Sequence, residues 1–187
     1  MTRGSTINNS EEMTMATSFY DVSVGSYLQT VGAVAGFMEQ GRKHFEAAGS
    51  GLEEVVEARL FEDMLPFRFQ ILSVVHHTLG AIEGMKGGVC GPPGASEAKS
   101  YADLQALVAE TLTALQALDR AEIDALADGD VEFQMGQMKL PFTNEGYLLS
   151  FSLPNMHFHA TTAYDILRMK GVPLGKRHYL GQMRMKG

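Results

Sequence analysis

Residues 147–171, YLLSFSLPNMHFHATTAYDILRMKG, decide how this chain is read. The stretch is almost wholly apolar and long enough for a continuous helix. Ser152, Asn155, His159 and Thr162 follow one another at spacings of three, four and three, which stacks them on one helix face. A buried polar group left unpaired costs about 1–3 kcal/mol, so a row of four needs a reason. A metal, a bound ligand or a closed hydrogen-bond network would each supply one. Pro154, inside the same stretch, removes the donor for the Ser150 carbonyl and bends the axis beside Asn155. A second side, Leu149, Leu153, Ala160, Ala163 and Leu167, is also apolar. A helix greasy on two sides is usually covered on both, which points to a homodimer contact.

Three more helical segments precede it. From Phe19 to Ala48 the residues Tyr20, Val24, Tyr27, Val31, Val34 and Met38 form one stripe. Leu52 to Met85 carries another, which Pro66 interrupts, so a break is expected near residues 63–65. Residues 87–95, GGVCGPPGA, read as a loop. Ser100 with Asp103 resembles a capping box at the head of a third helix through Leu104, Val108, Thr111, Leu115 and Leu118. Asp119, with Glu122 three residues later, opens a short extra turn. Between Val131 and Phe142 the period falls to two, with Gly136-Gln137 in the middle, which predicts a short β-hairpin before the last long helix. The expected fold class is all-α: four amphipathic helices imply a four-helix bundle, with metal and ligand sites built from inward side chains of facing helices.

Bulk properties narrow the function. A chain of 187 residues with 45% hydrophobic side chains fits one domain with a full core. The expected organisation is a disordered tail over 1–18 and a single domain over 19–187. A net charge of −7 argues against a nucleic-acid partner. No apolar run reaches the roughly 18–20 residues of a membrane span. The polar, acid-bearing first residues do not resemble a secretory or transit signal. The single cysteine, Cys90, cannot close an internal disulfide, so a reducing, cytoplasmic setting is expected. The chain has no glycine-rich phosphate loop, nucleophile elbow, Cys-x-x-Cys or His-Glu-x-x-His motif.

What remains is a histidine constellation. His76 and His77 lie on the second helical region, His157 and His159 on the last. His159 belongs to the polar row and His157 does not. His77 neighbours the core positions Val74 and Thr78. The expected ligand pocket is therefore His77, Ser152, Asn155, His159 and Thr162. His77 and His159 are the candidate ligands for a divalent metal, zinc or nickel, with Asp63 and Glu83 the carboxylates of the same helical region. An asparagine amide is a feeble ligand for either ion. A small organic molecule or a self-contained polar network are the other occupants of the row.

The run from Tyr147 to Gly181, together with FYDVSVGSYLQTV near the start and ARLFEDMLPFRFQI before the second histidine pair, resembles an uncharacterised family. That family is a domain of unknown function grouped with the DinB/YfiT-like superfamily. The resemblance covers about residues 19–181. It implies a DinB-like four-helix bundle, commonly dimeric. Characterised members of the superfamily include metal-dependent thiol transferases and a mycothiol-dependent isomerase. Their metal is held by one histidine of helix 2 and an H-x-x-x-H pair of helix 4. Carried over, the first falls on His77, less well on His76, and the pair on Asn155 and His159. The chain departs from the pattern at Asn155. Two functions are thus expected: a small-molecule-binding module, or a metal-dependent thiol S-transferase-like enzyme.

Overall fold

The computed structural model describes residues 17–49, 51–94, 98 and 100–186. The tail expected over 1–18 lies, up to residue 16, outside the described residues. The structure is mostly helical with one small sheet. In chain order it runs α1 (Phe19–Val22), α2 (Val24–Ala48), α3 (Leu52–Val56), α4 (Phe67–Val75), a π-helical turn (His76–Gly80), α5 (Ala81–Gly87) and β1 (Val89–Cys90). There follow α6 (Tyr101–Gln116), α7 (Arg120–Asp124), β2 (Asp130–Met135), β3 (Met138–Thr143) and α8 (Asn144–Tyr147). A second π-helical turn (Leu148–Ser152), α9 (Leu153–Met169) and α10 (Lys176–Leu180) complete it.

The first helical segment is split rather than continuous. Ser18 accepts from Asp21 N while the Asp21 carboxylate accepts from Ser18 N, which caps a separate first turn. Asp21 then pairs with Arg120, and Tyr20 N donates to Asp124, so α1 is drawn toward α7 and the chain bends at Ser23. The break ahead of Pro66 is also longer than expected. Residues 57–66 leave the helix, held by Phe67 N donating to Ala58 O at 2.8 Å and by Arg68 pairing with Glu57. The capping boxes at Ser18 and Ser100 are both complete, and Asp119 caps α7 through Glu122 N.

Helices α2, α4 with α5, α6 and α9 surround one core. Val24, Tyr27, Val31, Val34 and Met38 of α2 are fully buried, as are Ile71 and Val74 of α4. Leu104, Val108 and Leu115 of α6 meet them from the third helix, and Ala160, Ala163, Ile166 and Leu167 from α9. Much of the second apolar side of the last helix is therefore covered by the chain itself; Leu149 remains exposed.

The expected hairpin is two strands of a larger, mixed sheet. β2 and β3 pair antiparallel from Asp130 opposite Thr143 to Met135 opposite Met138. Gly136 supplies the left-handed backbone of the connection at φ +60°. β1, from the stretch expected to be a loop, adds parallel to β2 with Val89 opposite Glu132. Close packing makes this possible: a Cβ on Gly84 would stand 2.8 Å from the Cys90 Cβ, so only glycine lets α5 and β1 touch there.

The chain's end returns to its beginning. Gln29 donates to Leu180 O at 2.8 Å and Arg184 to Asp21 O at 3.0 Å, with the Arg184 guanidinium beside the bare Cα of Gly25. No described helix is long and apolar enough to cross a membrane.

Candidate functional site

The two π-helical turns face one another across the core. In a π turn the backbone bond spans five residues instead of four, which widens the helix and frees a carbonyl. Ala81 N–H, at the end of the first turn, bonds Thr78 O. His77 O, within that turn, accepts from Ser152 Oγ at 2.8 Å. Ser152 sits at the end of the second π turn, and its hydroxyl also makes a short hydrogen bond with Tyr27 OH of α2. Pro154 explains that second widening: its ring cannot coexist with a regular carbonyl four residues back, and a wider turn relieves the clash.

Below this link the rings of His77 and His159 lie parallel, 5.7 Å apart with 4° between their planes. The sequence expectation that two distant imidazoles meet inside the fold is met in this geometry. His76, the weaker candidate, instead places its Nε2 against Gly91 O at 2.7 Å. His159 Nδ1 lies 2.8 Å from Gln70 Oε1, while Gln70 Nε2 donates to Leu65 O at 2.7 Å. That second bond fixes which end of the amide faces the ring. Gln70 Oε1 is the acceptor, so His159 carries its proton on Nδ1 and a lone pair on Nε2. His77 Nδ1 is enclosed and meets no partner among the described residues.

Both imidazoles are neutral near pH 7. Burial pushes His77 down to about 3, with His76 and His159 adding to the effect. Burial likewise lowers His159 to about 4, helped by His76. Aromatic rings meet the pair roughly at right angles: Phe151 against His77, and Phe69 and Phe158 against His159.

The rest of the polar row is occupied by the backbone. Asn155 Nδ2 donates to Phe151 O and Thr162 Oγ1 to Phe158 O, both at 2.8 Å. Ser152 joins Tyr27 and His77 as described. Two clefts on the surface lie elsewhere. One of about 620 Å³ adjoins Gly25, Gln29 and Arg184, and another of about 320 Å³ is lined by Leu72, His76, Leu79 and Leu107. Neither is lined by His77 or His159.

Sequence reasoning missed a second row. Gln70, Ser73 and His77 recur at three and four on the facing helix and are all buried. Gln70 opposite His159, and His77 opposite Ser152, show that the two rows run antiparallel. That spacing was visible in the sequence. The contribution of Tyr27, 125 residues from Ser152, was not.

A metal of the superfamily kind does not fit this donor set. Among the described residues no three His, Cys, Asp or Glu side chains gather so as to hold an ion. Asp63 and Glu83 are both exposed. Two imidazoles fall one short of the three protein ligands of a catalytic zinc.

A family model, "Domain of unknown function (DUF1993)", matches residues 19–180. The chain belongs to the DUF1993 family. A solved structure similar to this DUF1993 chain is that of a DinB family member protein from Shewanella denitrificans. The two share 23% identity over 90% of this chain and 94% of that one, with a TM-score of 0.76. The resemblance read from the sequence is thus confirmed at the level of family and DinB-like fold. No curated protein matches the DUF1993 chain.

Proposed function

We propose that the chain is a DinB-type four-helix bundle that works as a small-molecule-binding module, with His77 and His159 as the groups that meet the ligand. The observation that carries this is the His77–His159 pair itself: two neutral rings held parallel, one with its tautomer set by Gln70. Ser152, Asn155 and Thr162 support the pair by holding the last helix in shape, since their hydrogen bonds go to protein groups. Neutral imidazoles offer an anion no charge, and the ligand proposed is a neutral molecule. The aromatic rings around the pair favour an apolar body. No metal is required. The proposed setting is cytoplasmic, and the proposed assembly is a homodimer using exposed Leu149 and Phe158 of the last helical segment. A clean monomer mass by light scattering would remove the dimer.

The alternative is a metal-dependent thiol S-transferase-like enzyme. It has one observation in its favour: Gln70 grips His159 Nδ1 as outer groups grip metal-bound imidazoles. Metal analysis of untagged protein, followed by addition of zinc or nickel, separates the two. The binding-module reading expects less than about a tenth of an equivalent bound and no thermal shift with metal, but a shift with members of a neutral aromatic library that His159→Ala abolishes. Stoichiometric metal would overturn it.

A further inference from the structure

His76 opens the first π-helical turn and Gly80 closes it. The backbone fixes the His76 tautomer. Its Nε2 lies 2.7 Å from Gly91 O, and a carbonyl only accepts, so Nε2 carries the hydrogen and Nδ1 a lone pair. Burial lowers the pKa of this ring, which is therefore neutral near pH 7. A Cβ on Gly80 would stand 3.3 Å from Nδ1, so glycine leaves that side of the ring open. Both residues line the cleft of about 320 Å³, whose walls include the apolar side chains Leu72, Leu79, Pro93 and Leu107. That volume falls at the lower end of the range for small-molecule pockets.

Glu83, three residues beyond Gly80, lines the same cleft and is the one charged side chain among the described residues that do so. Helical side chains lean toward the N-terminus, and from Glu83 that is the direction of His76. Lys86, at the spacing of a helical partner, pairs with Glu122 of α7 instead, at 3.9 Å. Both polar side chains of the cleft thus offer acceptors, one of them negative, and neither offers a free donor. An anion finds nothing there to bind it. A purely apolar molecule would leave both acceptors unmatched. A primary ammonium suits the pair, because it is positive and presents three N–H donors.

We propose that this cleft is a second ligand site, for a primary ammonium on a short apolar body, with N–H donors directed to His76 Nδ1 and the Glu83 carboxylate. The apolar body lies against Leu72, Leu79 and Leu107. The site goes beyond the proposed function and stands without it, since neither His77 nor His159 lines the cleft.

The test is ring-nitrogen NMR of the full chain with labelled histidine, titrated with phenethylamine, which is protonated near pH 7 as lysine is. The expected free state has His76 protonated on Nε2. The amine should move the His76 Nδ1 signal saturably while His159 stays still. Phenethyl alcohol, similar in shape but uncharged, should bind about fivefold more weakly, and Glu83→Gln should weaken the amine by a similar factor. Position 83 is exposed, so the glutamine variant keeps the fold. A wild-type His76 protonated on Nδ1 overturns the proposal, as does a His76 signal that the amine leaves in place. Equal affinity for the alcohol, or no loss in Glu83→Gln, overturns it too. An amine response at His159 alone would overturn this site and also count against the neutral ligand proposed for the other. No response at either ring would overturn this site and leave that reading intact.

Discussion

Ser152 Oγ donates to the carbonyl of His77 at 2.8 Å, tying one widened helical turn to the other across the core. His77 lies in the first widened turn and Ser152 at the end of the second. A distortion in one helix is thus answered by a side chain from another.

Removing that hydroxyl should be expensive. Ser152→Ala strands both Tyr27 OH and His77 O in the interior, and the expected loss is about 1–3 kcal/mol. Tyr27→Phe leaves the Ser152–His77 bond intact and should lose nearer 1 kcal/mol. Urea unfolding of both variants ranks them, and equal losses would mean that Ser152 is not the hinge of the network.

Gln70 and His159 should behave as a unit. His159→Ala leaves Gln70 Oε1 without its donor, and Gln70→Ala leaves His159 Nδ1 without its acceptor. Each should destabilise by about 1–3 kcal/mol. The double variant should lose clearly less than the sum, since contacting residues couple by about 0.5–3 kcal/mol. Additive losses in a double-mutant cycle would deny the bond.

Acid should destabilise the fold through the same rings. An unfolded imidazole titrates near 6.5, while burial holds His77 at about 3 and His159 at about 4. Below about pH 6.5 the unfolded chain therefore binds more protons than the folded one. Stability is full above that point and falls as pH drops toward 4 and then 3, by at most roughly 1.4 kcal/mol per pH unit for each proton difference. Melting temperature against pH should show the decline, and His77→Gln should flatten it.

Gly84 should not tolerate a side chain. The Cβ of Gly84→Ala would meet the Cys90 Cβ at 2.8 Å, and overpacking of this kind costs typically about 1–3 kcal/mol. Because the strain falls on β1, hydrogen exchange should accelerate first at Val89 and Cys90. An Ala variant as stable as the parent would place slack between helix and strand.

The helices were legible because their inward faces repeat at three and four and their starts carry side-chain caps at Ser100 and Asp119. The His77–His159 meeting was legible from polar residues sitting where core residues belong. The π turns were not: a widened turn changes backbone partners without changing the residue types on either side. Pro154 announced a disturbance but not its form. The two-residue strand Val89–Cys90 has no periodicity to read, and its glycine-rich surroundings describe a loop until β2 is beside it. The split at Ser23 came from Arg120 and Asp124, a hundred residues away in the chain.

The fold of residues 180–184 back onto α1 and α2 leaves both ends of the described chain at the same pole. A permuted protein, joined there by a short linker and reopened at Gly136-Gln137, would keep each seam between helices while reversing which half emerges first from the ribosome. Such a rearrangement separates the information held in the packed interior from that held in the order of synthesis.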